Sequence, residues 1–109
     1  SEYFKNYTYA PFMIIAFEAK NKLKEDAPAI VHIDGTSRVQ IVYKETNPKY
    51  HELINSFRKK TGVPILLNTS FNVKGEPIVC TAKDALRTFW TTALDVLVLD
   101  DYIIKKPSL

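Results

Sequence analysis

Residues 65–79, ILLNTSFNVKGEPIV, join an apolar run to a cluster of small polar side chains. The run over residues 63–67 predicts a β-strand. Four small polar residues follow it: Asn68, Thr69, Ser70 and Asn72. Hydroxyls and amides donate hydrogen bonds without bulk, and Gly75 allows a positive φ or a close approach of the backbone to a ligand. We therefore predict a site for an anion or a carbonyl group at this strand end, with an ordinary polar turn as the alternative.

A second polar cluster lies upstream, around an Asp-Gly pair. Residues 29–33 and 39–43 are β-type runs on either side of it, which predicts a hairpin with one polar and one apolar face. The polar residues are His32, Asp34, Gly35, Thr36, Arg38 and Gln40. Arg38 offers a planar fork of donors to phosphate or carboxylate, and His32 exchanges a proton near neutral pH. The alternative is a solvated hairpin in which Arg38 pairs with Asp34.

The remaining periodicities predict an α/β or α+β fold, with a mixed β-sheet and two packed helices. Further strands are expected at residues 10–17, 77–80, 96–99 and 102–104, and a short helical turn or loop at residues 18–24. One helix begins after Asn47 and ends at Gly62, and its apolar face is expected to pack on a sheet. Another begins at the capping box of Thr81 and Asp84, and its buried stripe includes Trp90.

The composition is that of an ordinary globular domain. Of 109 residues, 46% are hydrophobic and 25% are charged. The net charge is +3, and because no basic stripe carries interleaved aromatics, we expect no nucleic-acid partner. The apolar runs are shorter than a membrane span, so we expect no membrane contact and a cytoplasmic location. Cys80 is the single cysteine, which excludes an intrachain disulfide, and we expect it to be a buried, inert thiol.

A family resemblance rests on several segments in chain order. The string TSFNVKGEP at residues 69–77 resembles the Ser-x-Asn-x-x-Gly-Glu-Pro signature of YrdC-like domains. Further matching segments are APFM at 10–13, PAIVHIDGTSRVQ at 28–40, Asn47-Pro48, TGVP at 61–64, EPIVCT at 76–81 and Asp84-Ala85. Together they resemble the C-terminal region of O-carbamoyltransferases of the nodulation protein U, tobramycin and cephamycin carbamoyltransferase type.

The resemblance implies that residues 1–109 are the C-terminal part of a YrdC-like domain within a larger chain. The complete enzyme would use ATP, with Mg expected, and carbamoyl phosphate to form carbamoyl adenylate. It would then pass the carbamoyl group to a hydroxyl acceptor in a preceding domain, where iron or another divalent metal binds. No metal ligand is expected in this chain, a homodimer is possible, and the fragment alone should be inactive or nearly so. The basic cluster of YrdC-like domains has no convincing match before Arg38.

For single residues, the resemblance implies that Ser70 and Asn72 line the nucleotide and substrate pocket. Together with the chemistry of the hairpin side chains, this assigns His32, Arg38, Ser70 and Asn72 to catalysis. Those assigned to binding of substrate or nucleotide are Asp34, Gly35, Thr36, Gln40, Asn68, Thr69, Gly75 and Glu76. Positioning and charge stabilisation are expected of Ser70 and Asn72, because no histidine base adjoins them. The alternative function is a non-catalytic YrdC-related module that binds a nucleotide or a partner protein.

Overall fold

The computed structural model describes residues 1–107 and divides the chain into two compact units, Ser1–Leu67 and Asn68–Leu109. The first unit contains β1 (Ile15–Glu18), α1 (Asn21–Asp26), a 3₁₀ turn (Pro28–Ile30), β2 (Thr36–Val39) and α2 (Pro48–Thr61). The second contains α3 (Ala82–Thr91), β3 (Val96–Leu99) and β4 (Tyr102–Lys105). This small α+β arrangement confirms the predicted class. Its described strands form two antiparallel pairs, β1 with β2 and β3 with β4, in place of one mixed sheet.

The β1–β2 pair has an inner and an outer face. Phe17 lies opposite Ser37, and both are buried. Ala16 lies opposite Arg38, and both are exposed. Because directly opposed residues of a sheet project to the same side, this register places Arg38 on the outer face.

The core of the first unit holds the segment that leads into the Asp-Gly turn. Tyr3, Ala19 and Leu23 are buried there, with Leu23 fully enclosed, and Val31 packs against them. The Tyr3 hydroxyl donates to Asp26 at 3.0 Å. Burial, reinforced by that carboxylate, raises the pKa of Tyr3. The packing of Val31 fixes the entry of the chain into the turn beside it.

The core of the second unit holds the polar loop that precedes α3. Ala85, Phe89 and Leu97 are buried together, and Phe71 and Val79 from the loop pack against them. The loop is therefore tied to the helix and the β3–β4 sheet by apolar side chains at both of its ends.

The predicted hairpin at residues 29–43 is correct in its turn and wrong in its strands. Ala29 and Ile30 belong to the 3₁₀ turn, because Pro28 fixes φ and removes a backbone donor. The strand after the turn, β2, begins at Thr36 and pairs with β1. A strand from a distant part of the chain thus takes the place of the predicted partner.

Other predicted strands are also corrected. Residues 63–67 and 77–80 are irregular, since Pro64 and Pro77 interrupt both runs and cannot donate to a ladder. The run at 10–17 becomes extended only from Ile15 onwards. Cys80, predicted to be buried, is exposed. The strands at 96–99 and 102–104 are confirmed as β3 and β4.

The two predicted helices are confirmed, but their packing is looser than expected. The side chain of Asn47 accepts from the backbone N–H of Tyr50 at 3.2 Å and caps α2. Its apolar face was predicted to be covered, whereas Leu53 is 58% and Phe57 38% exposed. Trp90 of α3 is likewise half exposed, with its ring against the edge of Phe89. In the described part of the chain, no helix has both the length and the apolar character that crossing a bilayer requires.

Candidate functional site

The first candidate group is the DGT hairpin, which we define as His32, Asp34, Gly35, Thr36, Arg38 and Gln40. The backbone N–H of Gly35 donates to the carbonyl of His32 at 2.9 Å, and the N–H of His32 donates to the carbonyl of Thr36 at 2.8 Å. This closes a three-residue loop whose last residue, Gly35, has φ of 79°. Glycine suits that left-handed position, which explains the Asp-Gly signal in the sequence.

Side chains continue the hairpin on its polar side. Asp34 Oδ1 accepts from the backbone N–H of Thr36 at 2.9 Å and from its hydroxyl at 2.8 Å. His32 Nδ1 lies 3.2 Å from the same hydroxyl oxygen. The two bonds from Thr36 stabilise the charged carboxylate, so they lower the pKa of Asp34 below its ordinary value. The structure thus brings three of the predicted residues into one hydrogen-bonded chain.

Arg38 follows on the outer face of β2, two positions beyond Thr36. Residues i and i+2 of a strand share a face about 7 Å apart, so the guanidinium and the His32–Thr36 pair lie on the same side. The small side chain of Ala16 is its cross-strand neighbour. In residues 1–107 the salt bridges join Lys5 to Glu18, Lys22 to Asp26 and Glu76 to Arg87. The alternative pairing of Arg38 with Asp34 is therefore wrong. Gln40 is half-buried just beyond the strand.

The second candidate group is the SFN loop, which we define as Asn68, Thr69, Ser70, Asn72, Gly75 and Glu76. Ser70 Oγ donates to Asn72 Oδ1 at 2.6 Å. Asn72 Nδ2 donates to the carbonyl of Glu76 at 2.9 Å and to that of Val73 at 3.2 Å. Asn72 is consequently committed to the loop itself, whereas the exposed Ser70 hydroxyl keeps its lone pairs for another donor.

The loop is closed by a turn and fastened to α3. The N–H of Glu76 donates to the carbonyl of Val73 at 2.9 Å, with Gly75 at φ of 89°, as in a type II turn. The Glu76 carboxylate accepts from Arg87 Nη2 at 3.2 Å. Phe71, between Ser70 and Asn72, packs into the core below. These contacts hold the exposed hydroxyl on a defined backbone, as prebuilt donor sites require.

Two predicted members of the SFN loop lie at its start. Asn68 and Thr69 are exposed there, ahead of the Ser70–Asn72 bond. The DGT hairpin belongs to the first unit and the SFN loop to the second. Among residues 1–107, no three side chains of the metal-binding types gather closely enough to hold an ion.

The family of the chain follows from comparison with known proteins. A family model described as the carbamoyltransferase C-terminus matches residues 1–106. The chain belongs to this carbamoyltransferase family. It is 51% identical over 96 residues to nodulation protein NolNO of Sinorhizobium fredii, which covers 88% of the chain and 14% of that relative.

Two further nodulation proteins are similar to the chain over nearly the same length. Nodulation protein NolO of Bradyrhizobium diazoefficiens is 47% identical over 96 residues, 88% of the chain and 18% of the relative. Nodulation protein U of Sinorhizobium fredii is 32% identical over 98 residues, 90% of the chain and 17% of the relative. The chain spans about a sixth of the length of these carbamoyltransferase-family relatives, and the predicted resemblance to the nodulation protein U type is confirmed.

Sequence reasoning missed the residues that support the two groups in this carbamoyltransferase C-terminus. In the sequence, Arg87 is one charged residue of a predicted helix, and Ala16 is one residue of an apolar run, so neither is recognisable as a supporting residue. Their partners, Glu76 and Arg38, are remote in sequence. Phe71 could have been found, because a phenylalanine side chain gains much from burial and one inside a polar loop is expected to pack into the core.

Proposed function

We propose that this chain is the C-terminal part of an O-carbamoyltransferase and takes part in forming carbamoyl adenylate from carbamoyl phosphate and ATP. Membership of the carbamoyltransferase family supports this proposal. The reaction releases phosphate and pyrophosphate and consumes one water. The hydroxyl of an acceptor in a preceding domain of the same polypeptide, where a divalent metal such as iron is expected, then takes the carbamoyl group, and AMP leaves together with the hydroxyl proton.

The observation that carries the proposal is that Arg38 is exposed and makes no salt bridge within residues 1–107. Its guanidinium is exposed on the outer face of β2 and takes part in none of the salt bridges found in residues 1–107. A fork of donors that is not engaged by a carboxylate of its own unit is suited to bind a phosphate or carboxylate bidentately. We assign to Arg38 the binding of an anionic group of ATP or carbamoyl phosphate, with Mg expected to accompany ATP.

The SFN loop supplies the second part of the proposal. The exposed Ser70 hydroxyl is oriented by Asn72, which is in turn fixed by two backbone carbonyls. Groups held on a defined backbone stabilise developing charge with little reorganisation. We assign to Ser70 the stabilisation of charge on the reacting carbonyl or phosphoryl oxygen, toward which its hydrogen would turn from Asn72 Oδ1 when substrate binds. We assign to Asn72 the positioning of Ser70.

The test is pyrophosphate release by the full-length enzyme with ATP and carbamoyl phosphate. We expect Ser70→Ala to lower the rate by about 10²–10³-fold, the usual cost of one preorganised group. Thermal stability should hardly change, because Ser70 is exposed. Ser56→Ala, on α2, is the matched control and should release pyrophosphate at the wild-type rate.

Two results would count against this assignment. Wild-type pyrophosphate release by Ser70→Ala would remove Ser70 from the site. Binding of ATP by the full-length protein without any pyrophosphate release or carbamoyl transfer would instead favour the non-catalytic module.

We expect the isolated chain to be inactive or nearly so and the complete protein to be cytoplasmic.

A further inference from the structure

The side chains of the DGT hairpin form a directed chain of hydrogen bonds. Thr36 Oγ1 lies 2.8 Å from Asp34 Oδ1 and 3.2 Å from His32 Nδ1. A hydroxyl has one hydrogen and can donate to only one of these neighbours at a time. Where that hydrogen points therefore decides whether His32 Nδ1 acts as donor or acceptor.

The hydrogen of Thr36 points to Asp34. An ionised carboxylate is an acceptor only, and hydrogen bonds to a charged group are the stronger ones. The bonds from Thr36 keep the pKa of Asp34 below its ordinary value, so the carboxylate is charged at neutral pH. The contact with Asp34 is also the shorter of the two. A lone pair of the hydroxyl is then left facing His32.

We propose that Asp34 and Thr36 are positioning residues that hold neutral His32 in the Nδ1–H tautomer. Nδ1 donates to the Thr36 hydroxyl, and Nε2 carries the lone pair. His32 is exposed, so a ligand can reach Nε2. The outer face of the sheet then offers two complementary groups, an acceptor at His32 Nε2 and a fork of donors at Arg38.

The lone pair on His32 Nε2 determines which chemical group His32 can bind. An imidazole lone pair attracts a hydrogen-bond donor and not an anionic oxygen. If the proposed function holds, on which this step rests, the donor is the amino group of the carbamoyl moiety. Asp34 and Thr36, predicted to bind substrate, would then act on it only through His32.

The tautomer can be measured directly by ¹⁵N NMR on the labelled protein at about pH 9, where histidine side chains are neutral. The protonated and unprotonated nitrogens of a neutral imidazole have widely separated ¹⁵N shifts, and long-range proton couplings assign them. The chain has two histidines, so His51 on α2 serves as an internal reference. We expect the protonated shift at Nδ1 of His32.

Three variants of the hairpin and one control variant distinguish the proposed positioning of His32 from a general disturbance of the hairpin. Thr36→Ser keeps the hydroxyl and should keep the wild-type shifts. Thr36→Val, which also suits a strand, should lose the Nδ1–H preference. Asp34→Ala frees the hydroxyl to donate to Nδ1 and should move the proton to Nε2. Thr46→Val, which removes a hydroxyl bonded to the carbonyl of Tyr43, should leave the shifts of His32 unchanged.

A proton on Nε2 of His32 in the wild type would overturn the proposal, as would shifts that stay the same in Thr36→Val and Asp34→Ala. Enzyme kinetics test separately whether His32 contacts the carbamoyl group. In the full-length enzyme, Thr36→Val should lower kcat/KM for carbamoyl phosphate by about 10-fold, the value of one hydrogen bond, with the KM for ATP unchanged. A changed tautomer without that loss would leave the positioning of His32 standing and refute its proposed role toward the carbamoyl group.

Discussion

At the scale of single residues, Arg38 is the position where a conservative change should have the largest effect. Arg38→Lys keeps the charge but replaces the planar fork with a point charge. If Arg38 binds a phosphate or carboxylate bidentately, we expect kcat/KM for carbamoyl phosphate in the full-length enzyme to fall about 10- to 100-fold. Steady-state kinetics with purified enzyme measure this.

The matched control for Arg38→Lys is Arg58→Lys, an equally exposed change on α2. It should have wild-type kinetics. Equal kcat/KM values in wild type and Arg38→Lys, for carbamoyl phosphate and for ATP, would mean that the exposed guanidinium is only a solvated surface group.

Asn72 should respond to mutation differently from Ser70. Asn72→Ala removes two bonds to the carbonyls of Val73 and Glu76, so the backbone of the turn should loosen. Each lost bond costs about 1 kcal/mol locally. We expect faster amide exchange at residues 73–76 in Asn72→Ala, and much less change in Ser70→Ala, as measured by NMR hydrogen exchange.

The same exchange experiment tells whether Asn72 is structural. Unchanged protection at residues 73–76 in Asn72→Ala would show that the turn does not need the amide. Asn72 would then be available to a ligand, as the sequence alone predicts.

The residue roles that could be read from sequence are those with local partners. The Asn47 cap, the Thr81–Asp84 box and the positive φ of Gly75 each depend on neighbours within a few positions. The pairing of Glu76 with Arg87 spans 11 positions and becomes visible only when the loop has been placed against the helix. Side-chain partners at that distance are set by tertiary packing, which no local pattern encodes.

At the scale of elements, the start of α3 should make the protein sensitive to acid. Asp84 accepts from the Thr81 backbone N–H at 3.1 Å and from its hydroxyl at 2.6 Å. These bonds lower the pKa of Asp84 in the folded state. The carboxylate therefore stabilises the fold above its ordinary pKa of about 4, and this stabilisation is lost as pH falls through the lowered folded value.

Asp84→Asn removes this titration. We expect wild type to be more stable than Asp84→Asn at about pH 6 and the difference to shrink as pH falls below about 4. Urea unfolding across that range measures the difference. A difference in unfolding free energy that is constant with pH would mean that the Asp84 charge contributes nothing to the helix start.

The other half of the capping box is Thr81. At neutral pH, Thr81→Ala should lower the free energy of unfolding by about 1 kcal/mol, and Thr81→Ser by much less.

Helices were easier to predict than strands for a physical reason. A helix is defined by its own sequence, through periodicity and caps, and α2 and α3 both show them. A strand needs a partner, and β2 found its partner in β1 and not in the run just before the turn. Apolar runs that contain Pro64 or Pro77 resemble strands in hydropathy but lack the donors of a ladder.

At the scale of the whole molecule, the two units have separate cores. Leu23 is fully enclosed in the first and Phe89 in the second. We expect Leu23→Ala to cost about 2–5 kcal/mol and Phe89→Ala about 3–5 kcal/mol. Because each side chain packs within its own cluster, each substitution should weaken amide protection mainly in its own unit.

Hydrogen exchange followed by mass spectrometry can compare the two variants. Leu66→Ala, at a half-buried position of the first unit, is a milder control and should change protection less than Leu23→Ala. Equal loss of protection in both units from either substitution would mean that the chain unfolds as one cooperative body.

The alternation of Ser70, Phe71 and Asn72 sets a rule for engineering new acceptor or donor chemistry into this loop. Phe71 points into the apolar cluster with Phe89, while its two neighbours form the hydrogen bond at the surface. A combinatorial library that randomises position 70 while keeping Phe71, Asn72 and Val79 would vary the exposed group on an unchanged framework. A library that also randomises position 71 would lose the packing of Phe71 against this cluster in most members, which should lower their stability whatever chemistry position 70 carries.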